Sequence, residues 1–203
     1  MLKKLAADAL GISDIGKIIE PADFNKVDVD DYVFHEDGEK IYFVIKSKTD
    51  EYCFTNLAFI HLDGQSAVSS KRTLKRYPWH SYRVNDVSLE TAGTVDLDCE
   101  LKFTLGGQAF SIDVDKKQIE KLKDIYKSLF MIGRIGKENA QFLKYSEESI
   151  EAAYDISINK CLLENVSTEV DKLSKVIFDW KMEKYKQYVR KDFSEVFERY
   201  INL

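Results

Sequence analysis

Val95-Asp-Leu-Asp-Cys-Glu-Leu-Lys-Phe-Thr-Leu105 alternates apolar and polar side chains without interruption. Successive side chains of a β-strand point to opposite faces of a sheet, so this alternation puts every apolar residue on one face. The pattern therefore predicts a strand with one buried and one solvated face. Gly106-Gly107 follows as a tight turn, and residues 109–114 are predicted to return as the next strand.

Similar patterns upstream predict further strands. Asp63-Gly64 is the clearest two-residue turn signal between them. Residues 2–10 have the spacing of a short amphipathic helix, whereas the acidic stretch from Asp28 to Asp31 is predicted to lie in a connector. The predicted strands cover residues 41–46, 51–63, 66–75 and 81–90.

The pattern becomes helical after residue 115. Apolar residues from Ile119 to Phe130 recur at helical spacing behind a capping Asp113 or Asp115, which predicts a helix that packs on the barrel. Gly133 and Gly136 then indicate a break, and the chain beyond them has no period-two segment. We therefore predict two domains, residues 1–133 and 134–203, and the second is expected to form long helices over residues 137–163 and 168–202.

The second of these long helices carries an apolar stripe that is rich in aromatic residues. One partner helix does not cover so broad a stripe, so part of it is a candidate surface for another subunit or partner. The alternative is that the β domain of the same subunit covers it. The candidate residues are Trp180, Tyr188, Phe193 and Phe197.

The charge balance limits the classes of ligand. Among 203 residues, 30 are basic and 35 acidic, and the net charge of −5 disfavours nucleic acid because a polyanion requires a positive field. No apolar run approaches the roughly 20 residues that cross a bilayer. Cys53, Cys99 and Cys161 lack the spacing of a zinc or redox motif, so we predict no metal or cofactor and expect a cytoplasmic location.

The segment Glu90-Thr-Ala-Gly-Thr-Val-Asp-Leu-Asp-Cys-Glu-Leu-Lys102, together with the upstream Thr55-Asn-Leu57 strand and the Asp63-Gly64 turn, resembles the bacterial pleckstrin-homology (PH) domain family. The helical tail looks like the YvbH-like oligomerisation extension that follows such domains in some Firmicutes proteins. The resemblance implies an α+β fold, in which a PH-like antiparallel half-barrel of about seven strands is capped by a C-terminal helix and followed by an α-helical hairpin. It also implies a non-enzymatic domain that forms homo-oligomers, often rings.

Two charged stretches are candidate interaction surfaces. Residues 71–83 hold five positive charges and no acid, and Asp96, Asp98 and Glu100 form a row of carboxylates on one strand face. The basic stretch suits another subunit, a partner protein, anionic lipid headgroups or single-stranded nucleic acid, or it is an ordinary solvated strand. The acidic row is a solvated face or meets the basic stretch of a neighbouring subunit. The candidate residues of the basic stretch are Lys71, Arg72, Lys75, Arg76 and Trp79.

The sequence predicts no catalytic residue. The three histidines lack paired spacing, no glycine-rich phosphate loop occurs, and an enzyme built on His61 or the acidic row would need a pocket around it. We therefore predict a non-enzymatic interaction module that self-assembles into a homo-oligomer and displays repeated surfaces. The alternative is a peripheral membrane adaptor that binds anionic lipid headgroups through many weak contacts.

Overall fold

The computed structural model describes residues 15–64, 72–91, 98–160 and 166–201. These residues belong to two compact units. The first contains the chain up to Arg134 and again from Lys191 onward, and the second contains Ile135–Arg190. The helix predicted at residues 2–10 lies outside the described residues, as do Lys71, Asp96 and Cys161.

Eight antiparallel strands form two sheets in the first unit. The five-stranded sheet has the order β1-β2-β3-β4-β5, and the three-stranded sheet has the order β6-β7-β8. A bridge between Gly16 and Val114 connects the two sheets. The strands are β1 (Lys17–Ile18), β2 (Ile41–Lys46), β3 (Glu51–Thr55), β4 (Ala58–Gly64), β5 (Arg72–Pro78), β6 (Val84–Glu90), β7 (Asp98–Leu105) and β8 (Gln108–Asp115).

Aromatic side chains fill the space between the sheets. Phe59 of β4 meets Phe103 of β7 and Phe110 of β8 edge to face, with ring centroids 5.3 and 4.9 Å apart. Such pairs contribute roughly 0.5–1.5 kcal/mol beyond the burial of their area. Burial alternates residue by residue along β7, so the strand predicted from its alternating pattern is confirmed.

The other face of the five-stranded sheet is also buried. It is covered by residues 21–37, which we call the covering segment and which contain three short 3-10 helices, Pro21–Lys26, Asp28–Tyr32 and His35–Asp37. Val29 and Val33 of this segment form one buried cluster with sheet residues that include Val44, Cys53 and Ile60. The segment is the predicted connector, since it joins β1 to β2, but it also contributes a layer of the core, which the sequence did not indicate.

Two buried glutamates fasten the covering segment to the sheet. Glu39 lies just before β2 and accepts hydrogen bonds from the backbone N–H of Phe34 at 2.9 Å, from the Thr55 hydroxyl at 2.5 Å and from the Arg76 guanidinium at 2.7 Å. Its side chain is fully buried, whereas that of Arg76 is 23% exposed. The Phe34 ring lies 4.6 Å from the Arg76 guanidinium carbon and shields it on one side.

The second buried glutamate, Glu51, begins β3. Its Oε2 accepts the backbone N–H of Val29 at 2.7 Å, and its Oε1 lies 2.5 Å from the Lys46 ammonium. Arg72 approaches the same carboxylate at 3.9 Å and pairs with Asp28 of the covering segment at 2.5 Å. A buried carboxylate is tolerated when cations and N–H donors satisfy it, so each glutamate fixes the segment and the sheet together.

Helix α1 spans Ile119–Lys160 without interruption. The helix end predicted near Gly133 is wrong, because Gly133 has a packing role instead. A side chain there would come within 2.6 Å of the Val84 carbonyl oxygen, so glycine allows the helix to approach β6 closely. Leu122, Ile125 and Leu129 of the same helix are fully buried, which agrees with its predicted apolar face.

The predicted helix over residues 168–202 is two helices. Helix α2 spans Val166–Tyr188, and the short helix α3 spans Ser194–Tyr200 in the first unit. The sequence assigned these last residues to the tail, but Phe197 is fully buried and stacks on Tyr42 with ring centroids 4.9 Å apart. Whether residues 134–203 fold as a domain of their own stays a prediction.

The β3–β4 turn anchors this C-terminal segment. The backbone carbonyl oxygen of Asn56 accepts a hydrogen bond from the backbone N–H of Phe193 at 2.9 Å. The side-chain amide of Asn56 donates to the Asp192 carboxylate at 3.0 Å. The Tyr42 hydroxyl also donates to Glu198 at 2.8 Å. These bonds hold α3 against the five-stranded sheet.

Replacing Glu39 by Gln should destabilise the protein, because the half-buried Arg76 guanidinium would lose the carboxylate that balances its charge. We expect a loss of about 2 to 3 kcal/mol in the free energy of unfolding, measured by urea denaturation. Glu195→Gln, which removes an exposed carboxylate on α3, is the control and should cost less than about 0.5 kcal/mol. Equal effects of the two substitutions would contradict the role of Glu39.

Candidate interaction surfaces

The predicted basic surface on β5 is largely engaged inside the chain. Arg76 pairs with Glu39, and Arg72 pairs with Asp28 and approaches Glu51. Trp79 is 5% exposed and donates its indole N–H to the Thr55 carbonyl at 2.9 Å. The prediction that Trp79 lies on a partner surface is therefore wrong. Lys75 is exposed, which leaves it as a basic group open to a partner.

The acidic row lies on the exposed face of the three-stranded sheet and is broader than the sequence indicated. In register, Glu100 of β7 stands between Glu90 of β6 and Asp113 of β8, and Asp98 stands opposite Asp115. We call these five carboxylates the acidic face. Glu90, Asp113 and Asp115 were missed because the pairing of strands, which brings them beside β7, is not visible in the pattern of one strand.

Glu100 of this face has two direct partners. The Ser111 hydroxyl donates to it, and the Lys102 ammonium lies 2.9 Å away. The hydrogen bond from Ser111, followed by Lys102, holds the pKa of Glu100 below its usual value. Lys102 also pairs with Glu90 at 2.8 Å, so one lysine is shared by two carboxylates and the face keeps an excess of negative charge.

His61 lies in a half-buried polar cluster on the face of β4 that points toward the second sheet. Its Nε2 is 2.9 Å from Asp50 Oδ1, and its ring stacks on Tyr52 at 4.6 Å between centroids. Burial raises the pKa of the Tyr52 hydroxyl, with Asp50 adding to the effect. An Asp–His pair serves as a general base only when a nucleophile is within reach. Among the described residues, no hydroxyl or thiol hydrogen-bonds the His61 ring.

The aromatic residues predicted at a partner surface divide into two pairs. Phe193 and Phe197 are buried against the sheets of their own chain, at 2% and 0% exposure, so for them the alternative of coverage within one subunit holds. Trp180 and Tyr188 lie in the second unit and are half-buried. Tyr188 contacts Phe142 of α1 at 5.7 Å between ring centroids, and Lys184 lies 5.7 Å from the Trp180 ring centre.

The second unit exposes large apolar side chains on both of its helices. On α1 these include Tyr145, and on α2 they include Val176 and Phe178, the last at 63% exposure. A groove of about 560 Å³ lies between the two helices. Isolated exposed apolar residues are ordinary, but a cluster beside a groove is typical of an interaction site.

The two cysteines among the described residues lie in the core. Cys53 and Cys99 are buried, as expected for structural thiols, and burial raises the pKa of the Cys53 thiol well above its usual range. The described residues contain no group of three or more side chains suited to hold a metal ion. No helix in the described part of the chain is both long and apolar enough to cross a membrane.

The two antiparallel sheets and the long helix that packs on them define a PH-like α+β fold, as predicted. The chain belongs to the bacterial PH domain family, whose model matches residues 9–132. Residues 144–202 match a second model, the YvbH-like oligomerisation region.

Individual relatives agree with this assignment. The protein named YvbH from Bacillus subtilis (strain 168) is 57% identical over the full length of both chains. YjqA of the same organism is 33% identical over 90 residues, which cover 44% of this chain and 69% of YjqA. A crystal structure of a PH-domain-containing bacterial protein from Exiguobacterium sibiricum 255-15 is 51% identical and superposes with a TM-score of 0.84, covering 93% of this chain and all of that one.

The Asp50–His61 pair should contribute to stability in a pH-dependent way. Burial alone would raise the pKa of Asp50, but hydrogen bonds from His61 and Thr49 outweigh it and hold the pKa below its ordinary value of 3.8. A carboxylate whose pKa is lower in the folded chain than in the unfolded chain stabilises the fold at any pH above its ordinary pKa. This contribution to stability is lost as the pH falls through the lowered pKa.

Asp50→Asn should therefore be less stable than the unmodified chain at pH 7, by roughly 1 to 2 kcal/mol for the two hydrogen bonds affected. The difference in free energy of unfolding between Asp50→Asn and the unmodified chain, measured by urea denaturation, should narrow as the pH is lowered from 5 toward 3. A difference that stays constant over this range would show that Asp50 does not stabilise the fold through its charge.

Proposed function

We propose that this chain is a non-enzymatic, cytoplasmic interaction module that self-assembles into a homo-oligomer and presents repeated copies of its PH-like surfaces. The observation that carries the proposal is the match of residues 144–202 to a region described as an oligomerisation region. The exposed apolar side chains of the second unit support it, because they provide buried area once copies associate.

The acidic face is the surface that such an assembly would present. It combines five carboxylates on one exposed sheet face, two of which, Glu90 and Glu100, share Lys102. A partner protein with a basic patch is the ligand that this charge favours. A homo-oligomer would strengthen a weak contact of this kind, since linked copies raise the effective concentration of each site.

The alternative, a membrane adaptor for anionic lipid headgroups, has less support. Headgroup binding needs free cations, whereas Arg72 and Arg76 are paired with carboxylates of the same chain. At the end of β2, Lys46 is likewise paired with Glu51. The acidic face would repel an anionic surface.

The full-length chain should run as an oligomer. Size-exclusion chromatography with light scattering should give a mass that is a multiple of 23.5 kDa at micromolar concentration. The physical reason for association is that it buries the exposed apolar side chains of the second unit. A mass of one chain at every concentration tested would reject self-assembly.

The oligomer should stay in the supernatant when it is sedimented with vesicles that contain phosphatidylserine. Paired arginines and a negative net charge leave too little positive field for binding. Lys75→Glu, which removes an exposed cation of β5, serves as the matched control and should behave identically. If the unmodified chain instead pellets with the vesicles in a salt-sensitive way, and Lys75→Glu abolishes this binding, the result would support the membrane adaptor.

A further inference from the structure

The groove of the second unit has an apolar floor that the described residues leave open. Ile150 and Tyr154 of α1 line it from one side, and Ile177 and Phe178 of α2 from the other. Phe178 continues into Met182 and Tyr185 at helical spacing, so the stripe extends along α2 beyond the groove. These three side chains are 63%, 40% and 43% exposed.

The two sides of the groove carry opposite charge. On α1, residues 145–155 hold four acids and no base, and three of the acids, Glu147, Glu151 and Asp155, form one row at intervals of four residues. On α2, residues 172–186 hold five lysines and two acids, a net charge of +3. Lys181 lies on the groove, as do Glu151 and Asp155.

Four of these charges lie outside the ion pairs of the described residues. In the part of the chain that the structure describes, Glu147, Glu151, Asp155 and Lys181 form no ion pair with one another or with other residues. Like charges at intervals of four residues destabilise an isolated helix slightly. A row of three free carboxylates beside an open apolar floor is therefore suited to a basic, apolar partner surface.

The α2 surface of a second copy has that chemistry. Two copies that face one another across their grooves are related by a two-fold axis that runs either across the helices or along them. An axis across the helices lays α1 on α1, acid against acid. An axis along the helices lays α1 of one copy on α2 of the other, so that opposite charges meet at both contacts.

We propose that two copies of this chain pair groove to groove through their second units, with α1 of each copy on α2 of the other, as an antiparallel four-helix bundle. The apolar stripe of α2 fills the groove of the second copy, and Lys181 meets the acidic row of its α1. This inference rests on the proposed self-assembly and specifies the contact that produces it.

The apolar part is tested with two alanine substitutions on α2 of the full-length chain. Phe178 and Val176 are exposed to 63% and 61%, but only Phe178 lines the groove. Phe178→Ala should raise the concentration for half-dissociation by roughly tenfold or more in sedimentation velocity, whereas Val176→Ala should leave it unchanged. Far-UV circular dichroism checks that both variants keep their helices.

The pairing of helices is tested by charge reversal. Glu151→Lys with Asp155→Lys places two lysines opposite Lys181 of the second copy, and Lys181→Glu places a carboxylate opposite Glu151 and Asp155, so each variant alone should dissociate. An equimolar mixture of the two should reassociate, because positions 151 and 155 of each copy then face a charge of opposite sign at position 181 of the other. Helicity is again the control.

The outcomes separate this contact from the broader proposal. If the unmodified chain is an oligomer and all of these variants keep its mass, the groove contact is wrong while self-assembly stands. Charge variants that dissociate but do not recover on mixing would overturn the pairing of α1 with α2. A monomeric unmodified chain would overturn both proposals.

Discussion

The burial of two carboxylates, Glu39 and Glu51, is the constraint on which the β unit depends. A carboxylate leaves water at a cost of several kcal/mol unless cations and N–H donors replace the water. Each glutamate therefore binds a backbone N–H of the covering segment and a cation of the sheet. Glu39 binds the Phe34 N–H and Arg76. Glu51 binds the Val29 N–H and Lys46. As a result, the covering segment is fixed over β2, β3 and β4, where it buries Val44, Cys53 and Ile60.

This arrangement decides which surfaces remain for partners. Arg72 and Arg76 compensate buried or nearby acids, so β5 loses most of the positive charge that its sequence displays. The exposed face of the three-stranded sheet keeps its acidic character. Phe193 and Phe197 are used to hold the end of the chain against the β unit, whereas the helices of the second unit keep exposed apolar side chains such as Phe178.

Regular patterns in the sequence predicted the parts of the fold that depend on them. The alternation from residue 95 to 105 gave β7 where the structure describes it, and the helical spacing after Ile119 gave the start of α1. The covering segment has no such period, because 3-10 helices bury scattered residues such as Val29 and Val33. Gly133 was read as a break because its role, close contact with Val84, depends on tertiary packing.

The interaction surfaces were predictable to a smaller degree. The acidic residues of β7 were identified, but Glu90, Asp113 and Asp115 join them only through strand register. The partners of Arg76 and the burial of Trp79 likewise depend on residues far away in the chain, at Glu39 and Thr55. Trp180 and Tyr188 share one amphipathic pattern with Phe193 and Phe197, and only the end of α2 at Tyr188 separates the two pairs.

Hydrogen exchange of the full-length chain over a dilution series tests the central claim, self-association through the helical unit, most directly. If copies associate there, amides of residues 147–155 and 174–185 should become more protected as concentration rises, while β7 and β8 stay unchanged. Protection that increases only in the β unit, or that does not depend on concentration anywhere, would contradict it.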